Sequence, residues 1–238
     1  MTSTPPQPAD LSIPQLRAEL NGAVIAPDDP AYDEARTVFV TGIDRRPAAA
    51  VRVADAGDVS RVVSLARETG LELAVRSGAH SGAGFGTSDG GIVLDLSQMR
   101  GLDIDADART AWAETGLTAG QYTAATSAHG LATGFGDTGS VGIGGITLGG
   151  GVGFLVRKCG LTIDDLLAAE VVTADGNLLK IDAETEPDLF WAIRGGGDSA
   201  GTALDGRQRH ARATDAVRAR RASRPPRRHG AAVPRRFG

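Results

Sequence analysis

The sequence predicts an α+β fold. Residues 48–75 read as strand, amphipathic helix and strand, a compact βαβ unit. Two more strands, Ile92–Leu96 and Thr110–Glu114, follow with no helical period between them. Residues 166–181 then form a hairpin about Ala174-Asp175-Gly176-Asn177.

In chain order, a polar lead carries one helix near Tyr32–Val38. Ala48–Val53 is the first strand of the βαβ unit. Asp58 is a plausible N-cap for the helix Val59–Thr69, in which Val59, Val62, Val63 and Ala66 share a face and Gly70 is the stop. Such a spacing favours two parallel strands with the crossover helix packed on them. Leu71–Val75 is the second strand. Thr118 and Gln121 match a capping box, and the helix that they open runs to Ala128 and closes at Gly130. From Thr133 to Gly153 glycine is so dense that helix and strand are both disfavoured. That backbone suits close approach to a flat or charged ligand. Pro187–Arg194 reads as a short helix with Trp191 on its buried side. No strand or amphipathic period is evident from Thr202 onward, where Arg, Ala, Pro and Gly alternate.

Composition narrows the function classes. At 238 residues there is ample material for a core. One cysteine, Cys159, excludes an internal disulfide and a cysteine-built metal site, and it reads as a small core residue. The four histidines have no ligand spacing, so no metal is expected. There is no apolar run long enough for a membrane span and no signal peptide, so cytoplasmic residence is the default expectation. Eleven arginines follow Gly206 against one acid, Asp215, which leaves an acidic body and a basic tail. The tail has one aromatic residue and no reading motif, so nucleic-acid binding is not expected of it.

Two glycine motifs fail on context. Gly134 to Gly139 is a formal G-x-G-x-x-G, but a helix precedes it and more glycine follows. Gly86 to Gly90 is a formal G-x-S-x-G, but it leads into a strand. The stretch Val75 to Gly86 is more informative. A strand runs into a loop of glycine and small residues, with Arg76 at its start and His80 at its middle. Such a loop can bring backbone N–H groups and a guanidinium onto a phosphate.

Five motifs occur in one order: Arg76-Ser77-Gly78-Ala79-His80-Ser81, the glycine run, Arg157 to Leu166, Val171 to Gly176, and Pro187 to Gly197. Over residues 41–197 this pattern resembles the FAD-binding half of vanillyl-alcohol-oxidase-type (PCMH-type) flavoproteins, in the berberine-bridge-enzyme-like and hydroxynicotine-oxidase-like branch. The resemblance implies a two-subdomain FAD-binding domain, a small βαβ subdomain plus a mixed-sheet subdomain. It implies FAD held covalently through His80, with Arg76, Ser77, Gly78, Ala79, Ser81 and Gly82 as the pyrophosphate loop. Ala79 stands where the family motif has glycine. Thr138, Ser140, Val141, Gly144, Gly145, Gly149 and Gly153 fall on the flavin-facing run, and Val172 matches a backbone contact to adenine. Some relatives have a second link from a cysteine at the position of Thr138. A hydroxyl cannot replace that thiolate, so a single link is expected. The implied activity is hydride transfer from an alcohol, sugar or amine carbon to FAD, with dioxygen as acceptor.

After Gly197 the family pattern breaks. The implied organisation is an N-terminal lead (1–40), a PCMH-type FAD-binding domain (41–201) and an Arg-rich disordered or out-of-frame tail (202–238). The substrate domain of the family, and with it any catalytic base, is not recognisable. We therefore expect a reading-frame shift near Gly197–Asp205, which resequencing of the locus tests. A catalytically incompetent FAD-binding remnant is the competing expectation, with self-association through an uncovered apolar face.

Overall fold

The computed structural model describes residues 11–196 and 202–212. The first unit comprises α1 (Ile13–Glu19), β1 (Ala23–Ile25), α2 (Tyr32–Arg36), β2 (Ala49–Arg52), α3 (Ala56–Thr69), β3 (Leu73–Arg76) and β4 (Ile92–Asp95). Its sheet order is β1-β2-β4-β3, with β2, β4 and β3 parallel and β1 antiparallel to β2. The two strands of the βαβ unit are therefore parallel, but β4 lies between them. All four residues of β4 are buried, as expected of a strand covered on both faces. On one face Leu16, Val59 and Val62 pack against Val51, Ile92 and Leu94. On the other, Tyr32 and Ala35 pack against Ala50, Ala74 and Val93.

Two local expectations are corrected here. The N-cap of α3 is Asp55, whose side chain accepts from the Asp58 N–H, so the helix begins three residues earlier than Val59. Asp58 is buried, and its carboxylate accepts from the N–H groups of Asn21, Gly22 and Ala54 at 2.8–2.9 Å. These bonds, and the pairing of β1 with β2, draw the N-terminal lead from residue 11 onward into the first unit.

The second unit comprises β5 (Leu102–Asp105), β6 (Thr110–Glu114), α4 (Ala119–Ser127), β7 (Leu131–Ala132), α5 (Ile143–Leu148), α6 (Val156–Cys159), a 3-10 turn at Thr162–Asp165, β8 (Leu166–Val172), β9 (Leu178–Asp182), α7 (Pro187–Gly196), β10 (Thr202–Arg209) and β11 (Ala211–Arg212). Its main sheet is antiparallel throughout, in the order β5-β6-β10-β8-β9. The α4 capping box forms as read, with both reciprocal bonds. The glycine run is not wholly irregular: Ile143–Leu148 is helical because Ile143, Thr147 and Leu148 turn to the core together. In α7 it is Phe190 and Ile193, three residues apart, that are buried, while Trp191 is 79% exposed. Cys159 is half-buried rather than part of the core. The two units meet where the β8–β9 turn abuts α3, and Val172 joins the first core cluster.

The largest difference concerns residues 202–212, which the sequence assigns to the tail. They form β10 at the centre of the second sheet, between β6 and β8, and then β11 against β7. Among the described positions, Gly206 and Gln208 of β10 and His210 just after it are buried in alternation, and none of them is aliphatic. These positions offer apolar periodicity nothing to read. His210 is accommodated by two bonds. Its Nδ1 lies 3.3 Å from the Arg109 carbonyl and its Nε2 2.6 Å from the Tyr122 hydroxyl. Residues beyond Arg212 lie outside the described set, so the basic tail and its expected lack of nucleic-acid binding receive no structural account. No helix among the described residues is long and apolar enough to cross a membrane.

Gln208 is less well accommodated. Its amide nitrogen donates to the Thr147 hydroxyl at 3.3 Å, while its Oε1 is buried with no hydrogen-bond partner. An unsatisfied buried carbonyl costs about 1–3 kcal/mol. Gln208→Leu is expected to raise stability by about 1 kcal/mol, measured as an increased urea midpoint at unchanged m-value.

Candidate functional site

A groove of about 1120 Å³ runs between the two units. That is just above the range usual for small-molecule sites, and is suited to an extended dinucleotide rather than a compact metabolite. Its walls are β3 and the loop Ser77–Ser81, the segment Val141–Ile146, and Val172–Ala174 at the end of β8. Of the sequence candidates, the structure brings Arg76, Ser77, Gly78, Ala79, His80, Ser81, Val141, Gly144, Gly145 and Val172 onto this surface. Ser140 contacts it through His80. Gly82, Thr138, Gly149 and Gly153 lie off the groove wall. Thr138 donates to the Asp137 carboxylate at 3.0 Å. Gly149 caps α5. Gly153 instead packs on Gly136, where a Cβ would come within 2.6 Å of the backbone nitrogen.

The two walls touch at glycine. A Cβ on Gly78 would collide with the Gly142 backbone, and one on Gly142 with Ser77 and Gly78. The Ser77 hydroxyl donates to the Thr115 carbonyl and ties the loop to the second unit. Gly145 is different: a Cβ built there meets nothing within 4 Å, which leaves the groove floor open at that point. Residues 76–86 contain no acid, and the ionisable groove residues are Arg45, Arg67, Glu72, Arg76 and His80. With Arg76 paired to Asp95, Arg45 and Arg67 still outnumber Glu72, and this net positive charge and the open glycine floor fit a flat, diphosphate-bearing cofactor.

Arg76 lines the groove while its guanidinium is engaged from the sheet. It donates to the Asp95 carboxylate at 2.6 Å and to the Thr37 carbonyl at 3.4 Å, and both members of the ion pair are buried. Arg76 and Asp95 are in register on neighbouring parallel strands, and Arg52 faces the same carboxylate from the other side at 3.5 Å. Burial pushes the Asp95 carboxyl up, but the charge of Arg76 and the Ser97 N–H outweigh it and hold the group below the usual carboxylate range. Arg45 braces the far end of the loop, donating to the carbonyls of Gly84 and Thr87 at 2.8 and 2.9 Å.

His80 sits half-buried on the groove wall. The Phe39 ring stacks on it, centroids 4.0 Å apart, and the Ser140 hydroxyl lies 3.1 Å from Nε2. Ala79 occupies the left-handed region at φ 57°, as a glycine would, and its carbonyl accepts from the Phe39 N–H at 3.0 Å. Sequence reasoning missed Phe39 and Asp95. Asp95 left a signal, a charge closing an otherwise apolar strand. Phe39 left none.

The fold and groove together define a PCMH-type FAD-binding domain. The family model described as "FAD binding domain" matches residues 47–182, and the chain belongs to that family of FAD-linked oxidoreductases. (R)-6-hydroxynicotine oxidase of Paenarthrobacter nicotinovorans is 39% identical over 186 residues, covering 78% of this chain and 41% of that protein. The FAD-linked oxidoreductase YgaK of Bacillus subtilis is 35% identical over 185 residues, covering 76% and 41%. Among solved structures, 6-hydroxy-D-nicotine oxidase from Arthrobacter nicotinovorans superposes with a TM-score of 0.82 at 37% identity, over 85% of this chain and 44% of that one. A glucooligosaccharide oxidase from Acremonium strictum, described as carrying 6-S-cysteinyl, 8α-N1-histidyl FAD, superposes at 0.77 with 30% identity, over 82% and 42%. The chain thus spans about two fifths of the length of these relatives.

Two outcomes follow from this geometry. Asp95→Asn leaves Arg76 buried and unpaired, and is expected to cost about 3–5 kcal/mol at pH 7. Because the folded carboxyl titrates below its unfolded value of about 3.9, its contribution is complete above that pH and disappears as pH falls through the lower folded value. Urea titrations of wild type and variant should therefore converge in acid. Ala79→Gly removes a left-handed alanine, a cost of about 1–2 kcal/mol, against added chain entropy of about 0.4–1 kcal/mol. A net gain of about 0.5–1 kcal/mol is expected, read as a raised Tm.

Proposed function

We propose that this chain holds FAD in the groove with His80 as its single covalent attachment, and that the groove belongs to an oxidase of alcohol, sugar or amine carbons. The observation that supports it most is the position of His80. Of the three described histidines it alone lines the groove, on a loop that Asp95, Arg45 and Thr115 fix from three sides. Ser77, Gly78, Ala79 and Ser81 would lie along the diphosphate, and Val141, Gly144 and Gly145 against the ring. Val172 would meet the adenine. When bound, the flavin supplies the redox chemistry, accepting a hydride and passing the electrons to dioxygen with release of hydrogen peroxide. The part of the chain is to bind, orient and exclude water. Thr138 has no thiol to offer, so a second link of the kind named for the Acremonium protein is not expected here.

A second reading has its own support. Apart from His80, the ionisable groove residues are three arginines and Glu72, and Glu72 is engaged by the Ser88 hydroxyl. None is a free base beside His80, which favours a domain that binds FAD without turning over substrate alone. Phe39, Phe85, Val152 and Phe154 are each at least 63% exposed, which supports self-association, to be read from the solution mass.

The test is retention of flavin on the denatured polypeptide. Wild type is expected to keep yellow, fluorescent flavin through acid precipitation, and His80→Ala to release all of it. Release by wild type, or retention by the variant, overturns the attachment. Peroxide formation over a panel of alcohols, sugars and amines separates the oxidase from the binding domain.

A further inference from the structure

The contacts of His80 carry the argument further. The imidazole is fixed on two sides before any cofactor is considered. Phe39 covers one face at 4.0 Å with an interplanar angle of 18°, and Ser140 Oγ lies 3.1 Å from Nε2. Phe39 is itself 63% exposed, so core packing does not explain its position. Its N–H bond to the Ala79 carbonyl places it beside His80. Ser140 precedes Val141 of the facing wall and is 60 residues from His80 in sequence.

We propose that Ser140 and Phe39 are positioning residues for cofactor attachment, Ser140 engaging Nε2 and Phe39 fixing the ring plane, so that Nδ1, the atom corresponding to the N1-histidyl link named for the Acremonium protein, is left to react. This rests on His80 being the attachment point. A neutral imidazole has one N–H and one lone pair. In the tautomer that attachment at Nδ1 requires, Nε2–H donates to Ser140 Oγ, which puts the lone pair on Nδ1, the nitrogen left to react. Bond formation joins Nδ1 to the 8α-carbon and breaks one methyl C–H bond. It gives the ring a positive charge, which the Phe39 face and the Ser140 oxygen both stabilise. The Nε2 proton is then lost. The two electrons and two protons reside on the reduced flavin, and dioxygen removes them as hydrogen peroxide. Afterwards Nε2 carries the lone pair and Ser140 reverses its role to donor. A hydroxyl serves both stages.

The experiment uses the full chain, prepared without flavin and mixed with FAD. Covalent incorporation is followed as fluorescence and mass on the denatured polypeptide, and non-covalent binding by separate titration. Ser140→Ala is expected to slow incorporation at saturating FAD roughly tenfold, the value of about one hydrogen bond, saturation separating the rate of attachment from any loss of affinity. Ser140→Thr keeps the hydroxyl and is expected to restore the rate. Phe39→Leu is expected to slow incorporation in the same direction. The aminoacyl-flavin released by proteolysis should be bonded at Nδ1. Wild-type rates in Ser140→Ala, failure of Ser140→Thr to restore them, or a bond at Nε2 each overturns the positioning role while leaving the attachment intact. If Ser140→Ala does not fold, the threonine variant and the bonded nitrogen still decide. Absence of covalent flavin in wild type overturns the attachment, and this inference with it.

Discussion

The Asp95 carboxylate is the constraint around which the site is arranged. It closes β4 at the position where two parallel neighbours end in arginine, Arg52 on one side and Arg76 on the other. Three strands are thereby fixed at their C-terminal ends, where the chain leaves the sheet. A buried carboxylate between two cations is costly to form without all its partners, and so the register of the sheet and the exit of the Ser77–Gly86 loop are specified together. The loop is then held by Ser77 on Thr115 and by Arg45 on Gly84 and Thr87. Arg76, at the start of the glycine-rich loop, is thus also the residue by which the sheet anchors that loop.

The sequence made the fold legible wherever burial and propensity agreed. The apolar run of β4, the face of α3, the Thr118 capping box and the Ala174–Asn177 turn each state their structure locally. It was silent where a residue's role depends on a partner far along the chain. Trp191 looks like the buried residue of α7, yet Phe190 and Ile193 occupy the core because β8 and β9 lie on their side. Asp58 looks like a cap, but three backbone donors from other segments claim it and Asp55 caps instead. β10 escaped notice because its described buried positions, Gly206 and Gln208, and His210 just beyond it carry no aliphatic side chain.

The candidate site was legible in outline for a different reason. Of the glycines read as close approach to a ligand, Gly142 instead meets Gly78 across the two walls, and Gly145 leaves the floor open. Sequence alone could not sort these from Gly149 and Gly153, which serve a helix end and a loop crossing. Nor could it find Phe39, whose place beside His80 depends on one backbone bond to a residue forty positions away.

The position of β10 also governs the timing of assembly. β6 and β8 are made early and are separated in the sheet by a strand that is made after both. Until residues 202–209 emerge from the ribosome, two unpaired inner edges face solvent, and each is a template for pairing with a neighbouring nascent chain. Closure is a long-range event of the kind that slows folding. The part of the groove wall that β8 contributes is therefore completed only once β10 has been made, and a cofactor arriving earlier meets an incomplete receptor.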